Sequence, residues 1–249
     1  MSTLKFFAIV LFLTGISACN SDDDPTSGNT TDELPAAFEL IYGVKDIYVE
    51  GDFVVIKTAG LPEHKSPYYQ GTSYSSLYEA YNGTNANWSQ NPNKIGSQNY
   101  TFKIPKNPAV ASNPAATPLG PIGVSLNGVP FYNQYAGPNN QALTNEINSF
   151  DQYYGHPDQG SRYHYHAEPY YLTNTKGKSA LLGFLLDGFP VYGPTENNAT
   201  VTNADLDAYH GHTSVTAEYP NGIYHYHTTA AAPYINGNGF YGTAGTITN

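Results

Sequence analysis

The tetrapeptide Tyr163-His164-Tyr165-His166 recurs unchanged as Tyr224-His225-Tyr226-His227, and each copy ends a longer segment that is itself repeated. The stretch from Gly123 to Tyr132 matches the stretch from Gly183 to Tyr192 at a constant offset of 60 residues. Asp151 with Gly155-His156 matches Asp207 with Gly211-His212 at 56, and the tetrapeptides match at 61. Pro169-Tyr170 and Pro233-Tyr234 follow their blocks. Ordered markers with drift confined to the spacers point to a tandem duplication, with copies over about 122–171 and 182–235. One copy alone offers little core, so the two are expected to pack together about a pseudo-twofold axis.

The local pattern is that of strands. Asn127-Gly128 and Asp187-Gly188 sit between apolar alternating flanks, a strong hairpin signal. Each copy therefore reads as a hairpin, a polar loop and a Tyr/His strand. Upstream, Phe38 to Tyr48 and Phe53 to Thr58 flank Glu50-Gly51-Asp52 and predict another hairpin. Residues 61–99 read as irregular with a short helix around Ser75 to Tyr81; Tyr100 to Ile104 reads as a strand, and Pro105 to Pro121, with five prolines, as a loop. No stretch keeps a helical apolar period for long. The expected fold is mostly β with short helices, with Leu126, Val129, Leu185 and Phe189 in its core.

Lys5, the apolar run from Phe6 to Leu13 and the small residues before Cys19 read as a signal peptide over residues 1–18, too short to span a membrane as a helix. The segment before Cys19 resembles a bacterial lipobox, which implies that Cys19 becomes the lipidated first residue, followed by a polar acidic tether to residue 37. The acidic run at Asp22-Asp23-Asp24 resembles a surface-export signal. An ordinary secretory signal and an acidic linker without an address are the plainer alternatives. The expected setting is the outside of the cytoplasmic membrane, at the outer membrane or the cell surface.

Cys19 is the only cysteine, so disulfides, thiolate metal sites and a cysteine nucleophile are excluded from the mature domain. Charged residues make up 12% of the chain, the net charge is −10, Arg162 is the only arginine, and no Lys or Arg follows Lys178. Such a chain cannot neutralise a phosphate backbone, which excludes nucleic acid as a partner. An electronegative, histidine-bearing half suits a cation.

Six histidines are matched between the copies: His156 with His212, His164 with His225, and His166 with His227. A strand sends alternate side chains to opposite faces, so each tetrapeptide puts two imidazoles on one face and two phenols on the other. Two imidazoles at i and i+2 can chelate one ion, and neutral imidazole favours zinc, copper, iron and nickel. With His156 and His212 as third ligands there are two equivalent three-histidine sites; if the Tyr/His strands meet across the pseudo-axis, their four histidines form one shared site. Asp151 and Asp207 are candidates for accepting the second ring N–H of a ligating histidine. Glu168, unmatched in the second copy, is a candidate ligand or general base. His64 and His210 read as surface or structural residues, and the four motif tyrosines as core with satisfied hydroxyls. The competing account is a half-buried strand whose histidines merely bond to their neighbours.

With these residues laid out, the chain resembles the YHYH-domain family over about Phe38 to Gly242. The resemblance rests on Gly60-Leu61-Pro62-Glu63-His64-Lys65-Ser66-Pro67-Tyr68, Asn91-Pro92-Asn93-Lys94-Ile95, both hairpins, both Gly-His elements, both Tyr-His-Tyr-His blocks, Pro233-Tyr234, Phe240 and Gly242. It implies no particular reaction. Related chains carry cysteines where Tyr153-Tyr154 and Asn238-Gly239 stand here, which implies a looser C-terminus in this chain. It also implies that His64 approaches the shared site.

Three function classes follow. The first is a lipid-anchored protein binding copper or zinc for storage, delivery or sensing, with copper slightly ahead for a thiol-free site rich in imidazole and phenol. The second is a metal-dependent hydrolase or oxidase using water bound to a three-histidine metal. The third is a surface adhesion protein whose Tyr- and Asn-rich face meets protein or glycan, with structural histidines.

Overall fold

A computed structural model of the chain describes residues 33–249. The signal segment, Cys19 and the tether up to residue 32 lie outside the described residues. The described part is mostly β. In chain order the strands are β1 (Asp46–Glu50), β2 (Phe53–Thr58), β3 (Tyr100–Pro105), β4 (Pro121–Ser125), β5 (Pro130–Tyr132), β6 (Tyr135–Ala136), β7 (Gln141–Ala142), β8 (Gly155–Pro157) and β9 (Tyr163–Tyr165). Helix α1 (Tyr170–Lys176) separates these from β10 (Leu181–Leu185), β11 (Pro190–Tyr192), β12 (Thr195–Glu196), β13 (Ala199–Thr200), β14 (Gly211–Ser214), β15 (Ile223–His227) and β16 (Thr246–Thr248).

Eight strands form one sheet in the order β14-β15-β11-β10-β4-β5-β9-β8. With β4, β5, β8 and β9 matched to β10, β11, β14 and β15, that order reads the same from either end. The midline is the antiparallel β10–β4 pair, whose register sets Phe184 opposite Val124. Both central strands are buried, and β10 is apolar on both faces, as suits a strand covered on two sides. A four-stranded antiparallel sheet, β1-β2-β3-β16, contributes Val54, Ile56, Phe102 and Ile104 to the same core. Leu126, Val129, Leu185 and Phe189 are buried there as expected.

Both Gly-containing hairpins form, with three-residue loops rather than two. Ser125 N–H donates to Val129 O and Gly128 N–H to Ser125 O; Leu185, Phe189 and Gly188 repeat this pattern. Gly128 (φ 77°) and Gly188 (φ 86°) take the left-handed position that such a loop requires. The residues before them turn inward: Asn127 and Asp187 are fully buried.

Three local expectations need correction. Phe38–Leu40 is a 3₁₀ turn that buries Phe38 against Phe184, with ring centroids 3.9 Å apart, so the first strand starts only at Asp46. The helix around Ser75 is a single 3₁₀ turn, Ser75–Leu77. Helix α1 carries no sustained apolar period; its seven residues bury only Leu172 and Thr173, so packing sets it more than pattern. The C-terminus is tied down without a disulfide: β16 pairs with β3, and Gly242 N–H donates to Asp187 at 2.9 Å.

Candidate metal centres

Register builds the site. β8 pairs antiparallel with β9 so that His156 lies directly opposite His164, and β14 pairs with β15 so that His212 lies opposite His225. Side chains directly across a ladder share a face, and His166 and His227 follow two residues on, so three imidazoles converge in each half. Gly155 and Gly211 make this approach possible, because a Cβ at either would come within 2.4–2.5 Å of the Tyr163 or Tyr224 ring. The sheet order decides between the two arrangements left open by the motifs. Four strands separate β9 from β15, about 24 Å at the usual strand spacing, so the tetrapeptides do not share a site.

A carboxylate completes each group. Glu146 joins His156, His164 and His166, and Glu196 joins His212, His225 and His227; within each group the potential ligand atoms lie within 4.8 Å of one another, so each can hold a metal ion. Glu146 Oε1 is 3.2 Å from His156 Nε2, and Glu196 Oε2 is 3.3 Å from His212 Nε2. Neither contact has hydrogen-bond alignment: both Nε2 atoms are buried without a hydrogen-bond partner. The atoms face a common point between them.

The ring protons are already placed. His164 Nδ1–H donates to Arg162 O at 2.9 Å, His225 to Ile223 O at 3.0 Å and His227 to Gly193 O at 2.8 Å, while His166 Nδ1–H donates to Asn133 O. Ser149 Oγ–H donates to Glu146 O and so accepts from His156 Nδ1–H at 2.7 Å. Backbone carbonyls thus select the tautomer that leaves Nε2 a bare lone pair, the arrangement typical of metal-ligating histidine. His164 Nε2 and His166 Nε2 are 3.0 Å apart, and His225 Nε2 and His227 Nε2 3.1 Å. Burial, with neighbouring imidazoles adding to it, pushes His166 and His225 down to about 4 and lowers His164 and His227, so these rings are neutral at pH 7. Burial opposes ionisation of both glutamates. The facing imidazoles in their protonated form, together with the Ser214 hydroxyl at Glu196, outweigh it and hold both below their ordinary value.

The other candidates lie elsewhere. Asp151 and Asp207 sit on the phenol face and accept from the first motif tyrosine, Tyr163 and Tyr224, both at 2.9 Å. Each also accepts from backbone N–H groups two and four residues on, closing the turn that precedes Gly-His. They orient a strand and do not reach an imidazole. The second tyrosines, Tyr165 and Tyr226, reach Asn127 and Asp187. Glu168 accepts from Thr173 Oγ1 beside helix α1 and lines a separate cavity with Phe150 and Tyr234, so it is neither ligand nor base at either cluster. His64 is buried on the phenol face, accepting from Tyr165 at 3.2 Å, and His210 is buried against Thr229. Both are structural, and His64 touches the first tetrapeptide from the side opposite the cluster.

Neither glutamate was visible to repeat logic. At an offset of 60, Glu196 falls against Ala136, and at 56 Glu146 falls against Thr202. Glu146 arrives on a 3₁₀ turn (Glu146–Ser149) and Glu196 on β12, so the two halves supply the same group from different elements. The available signal was that Glu146 is the sole acid between Tyr132 and Asp151.

No curated protein and no solved structure matches the chain. A family model described as YHYH protein matches residues 101–203 and 195–239, which takes in both hairpins, all six clustered histidines and both glutamates. Residues 38–100, included in the resemblance drawn from motifs, lie outside that match. Since the matched span covers more than half of the sequence and contains every group of both clusters, the chain belongs to the YHYH protein family.

Proposed function

We propose that each cluster binds one divalent transition metal and that the protein serves metal storage, delivery or sensing outside the cytoplasm. One observation carries the reading. In each half two buried, neutral imidazoles direct unprotonated nitrogens at each other from about 3 Å, with a carboxylate closing the group. Lone pairs so placed repel unless a cation lies between them. The N₃O donor set of each cluster, free of thiolate, would suit copper(II) or zinc, with copper slightly ahead. Lipidation of Cys19 and a place at the outer membrane or cell surface complete the proposal.

The test is elemental analysis of residues 33–249, purified without a His tag or chelator. Two metal equivalents are expected, falling to one in His164→Ala/His166→Ala, to one in His225→Ala/His227→Ala, and to none when all four are replaced. Metal-free protein, or content unchanged by these substitutions, sinks the proposal and favours the adhesive reading. A metal-dependent hydrolase or oxidase is the second reading, favoured because each cluster opens on a cleft, of about 680 Å³ at the first and about 450 Å³ at the second. Turnover of ester, phosphate or phenol substrates that chelation abolishes would establish it.

A further inference from the structure

The two clefts carry the same formal charge on their lining residues, Glu146, Asp158 and Arg162 in the first and Glu196, Glu218 and Lys176 in the second, but they differ in the kind of cation and in whether its donors are free. Arg162 lines the first cleft together with Glu146, His156, His164 and His166. Its counterpart in the second copy, at the offset of 61 that aligns the tetrapeptides, is Ile223. Arg162 is fixed in place: Nε donates to Asp158 Oδ2 at 2.7 Å, while Asp158 Oδ1 accepts from the backbone N–H of Gly160 at 2.8 Å and of Arg162 itself at 3.2 Å. Among the described residues no acceptor engages its Nη nitrogens, and the side chain remains 41% exposed toward the cleft. One wall is Tyr132, whose ring lies flat on His164 with centroids 3.8 Å apart.

The second cleft is lined instead by Glu196 and Glu218, the latter accepting from Tyr192 at 2.7 Å. Lys176 borders it, but its ammonium lies 4.9 Å above the Tyr42 ring and is engaged there. No arginine faces the second cluster.

We propose that the first cluster alone binds an oxyanion of the carboxylate or phosphate type, held between the metal and the Nη edge of Arg162. The inference rests on the metal reading above. A guanidinium is a planar fork of donors that matches carboxylate and phosphate oxygens in pairs, and anchoring at Nε removes most of the ordering that such a contact otherwise requires. At the second cluster no guanidinium offers the matching fork of donors.

The experiment uses cobalt(II) as the spectroscopic probe and inorganic phosphate and acetate as the anions. In protein carrying His225→Ala/His227→Ala, which keeps only the first site, phosphate or acetate is expected to shift the visible cobalt spectrum saturably. Arg162→Gln should retain stoichiometric cobalt while weakening the anion about tenfold or more, the worth of a charge-assisted hydrogen bond. Arg162→Lys keeps the charge beside Asp158 and so guards against misfolding; it should weaken the anion as well, because an ammonium lacks the fork. In His164→Ala/His166→Ala protein, which keeps only the second site, no shift is expected. Cobalt taken up with an anion response unchanged in both Arg162 variants, equal at the two sites, or absent, overturns the inference and leaves the metal reading standing. Failure to take up cobalt at all sinks both.

Discussion

Tyr226 and Tyr165 occupy the same place in their tetrapeptides, yet replacing each with phenylalanine should have unequal consequences. The Tyr226 hydroxyl donates to Asp187 Oδ2 at 2.6 Å and accepts from Tyr241 N–H at 2.7 Å. Asp187 is fully buried, and without that hydroxyl it retains only the N–H groups of Gly242 at 2.9 Å and Phe189 at 3.3 Å. A hydrogen bond to a charged group contributes about 1.5–3 kcal/mol and an orphaned N–H costs about 1, so Tyr226→Phe should destabilise by about 3 kcal/mol. The Tyr165 hydroxyl lies between Asn127 Nδ2 and His64 Nε2, both at 3.2 Å, and meets no carboxylate, while Asn127 keeps Glu63 at 2.9 Å. Tyr165→Phe should cost about 1 kcal/mol. Urea unfolding of residues 33–249 at pH 7 measures both from the midpoint at constant slope. Burial raises the Asp187 carboxyl, and the Tyr226 bond works against that rise. Losing the bond lets the carboxyl rise further, so the Tyr226→Phe penalty should shrink as the pH falls through its folded value. Equal costs within about 0.5 kcal/mol, or a larger cost for Tyr165→Phe, would refute the assignment of a carboxylate partner to one hydroxyl and not to the other.

Metal added at about 100 times its Kd should stabilise the domain by about 2.7 kcal/mol per occupied site, raising Tm by several degrees in a manner that chelator reverses; an unmoved Tm would count against both centres. Glu146→Gln and Glu196→Gln should each weaken one metal by about 100-fold while leaving the other unchanged, as read by competition with a coloured chelator, because a unit charge about 4 Å from its partner is worth a few kcal/mol at a partly buried site. Metal-free protein should lose stability between about pH 6.5 and about pH 4: His166 and His225 hold folded values near 4, so the unfolded chain takes up protons there that the folded chain refuses. The loss is about 3 kcal/mol per cluster, offset in part by Asp151 and Asp187, whose raised carboxyls act in the opposite sense, and urea midpoints across that range measure it. Gly155→Ala should displace the Tyr163 ring, costing about 1–3 kcal/mol and weakening the first metal only, as calorimetry would show.

Much of the site was legible because its parts are local. The spacing of His164 and His166 fixes a shared strand face whatever the rest of the fold does, and the matched Gly-His elements singled out His156 and His212. The aspartates were misplaced for a nearby reason. Asp151 and Asp207 are as close in sequence to the histidines as to the tyrosines, but pairing of the Gly-His strand with the Tyr/His strand turns them to the phenol face, where Tyr163 and Tyr224 take them up. Glu168 failed similarly, because the chain leaves the sheet at Pro169 to begin α1 and Thr173 captures the carboxylate.

The sequence by itself determined that each tetrapeptide puts two imidazoles on one strand face, that each hairpin needs a glycine in its turn, and that residues 33–249 carry no thiol. These depend on strand periodicity, loop geometry and composition, which act over a few residues. Only the tertiary structure decided that there are two His/Glu clusters instead of one, because it inserts four strands between the tetrapeptides. It alone also brought in Glu146 and Glu196, which reach matching places from unmatched positions. Convergence of side chains from different elements is set by how those elements pack, and no spacing along the chain records it.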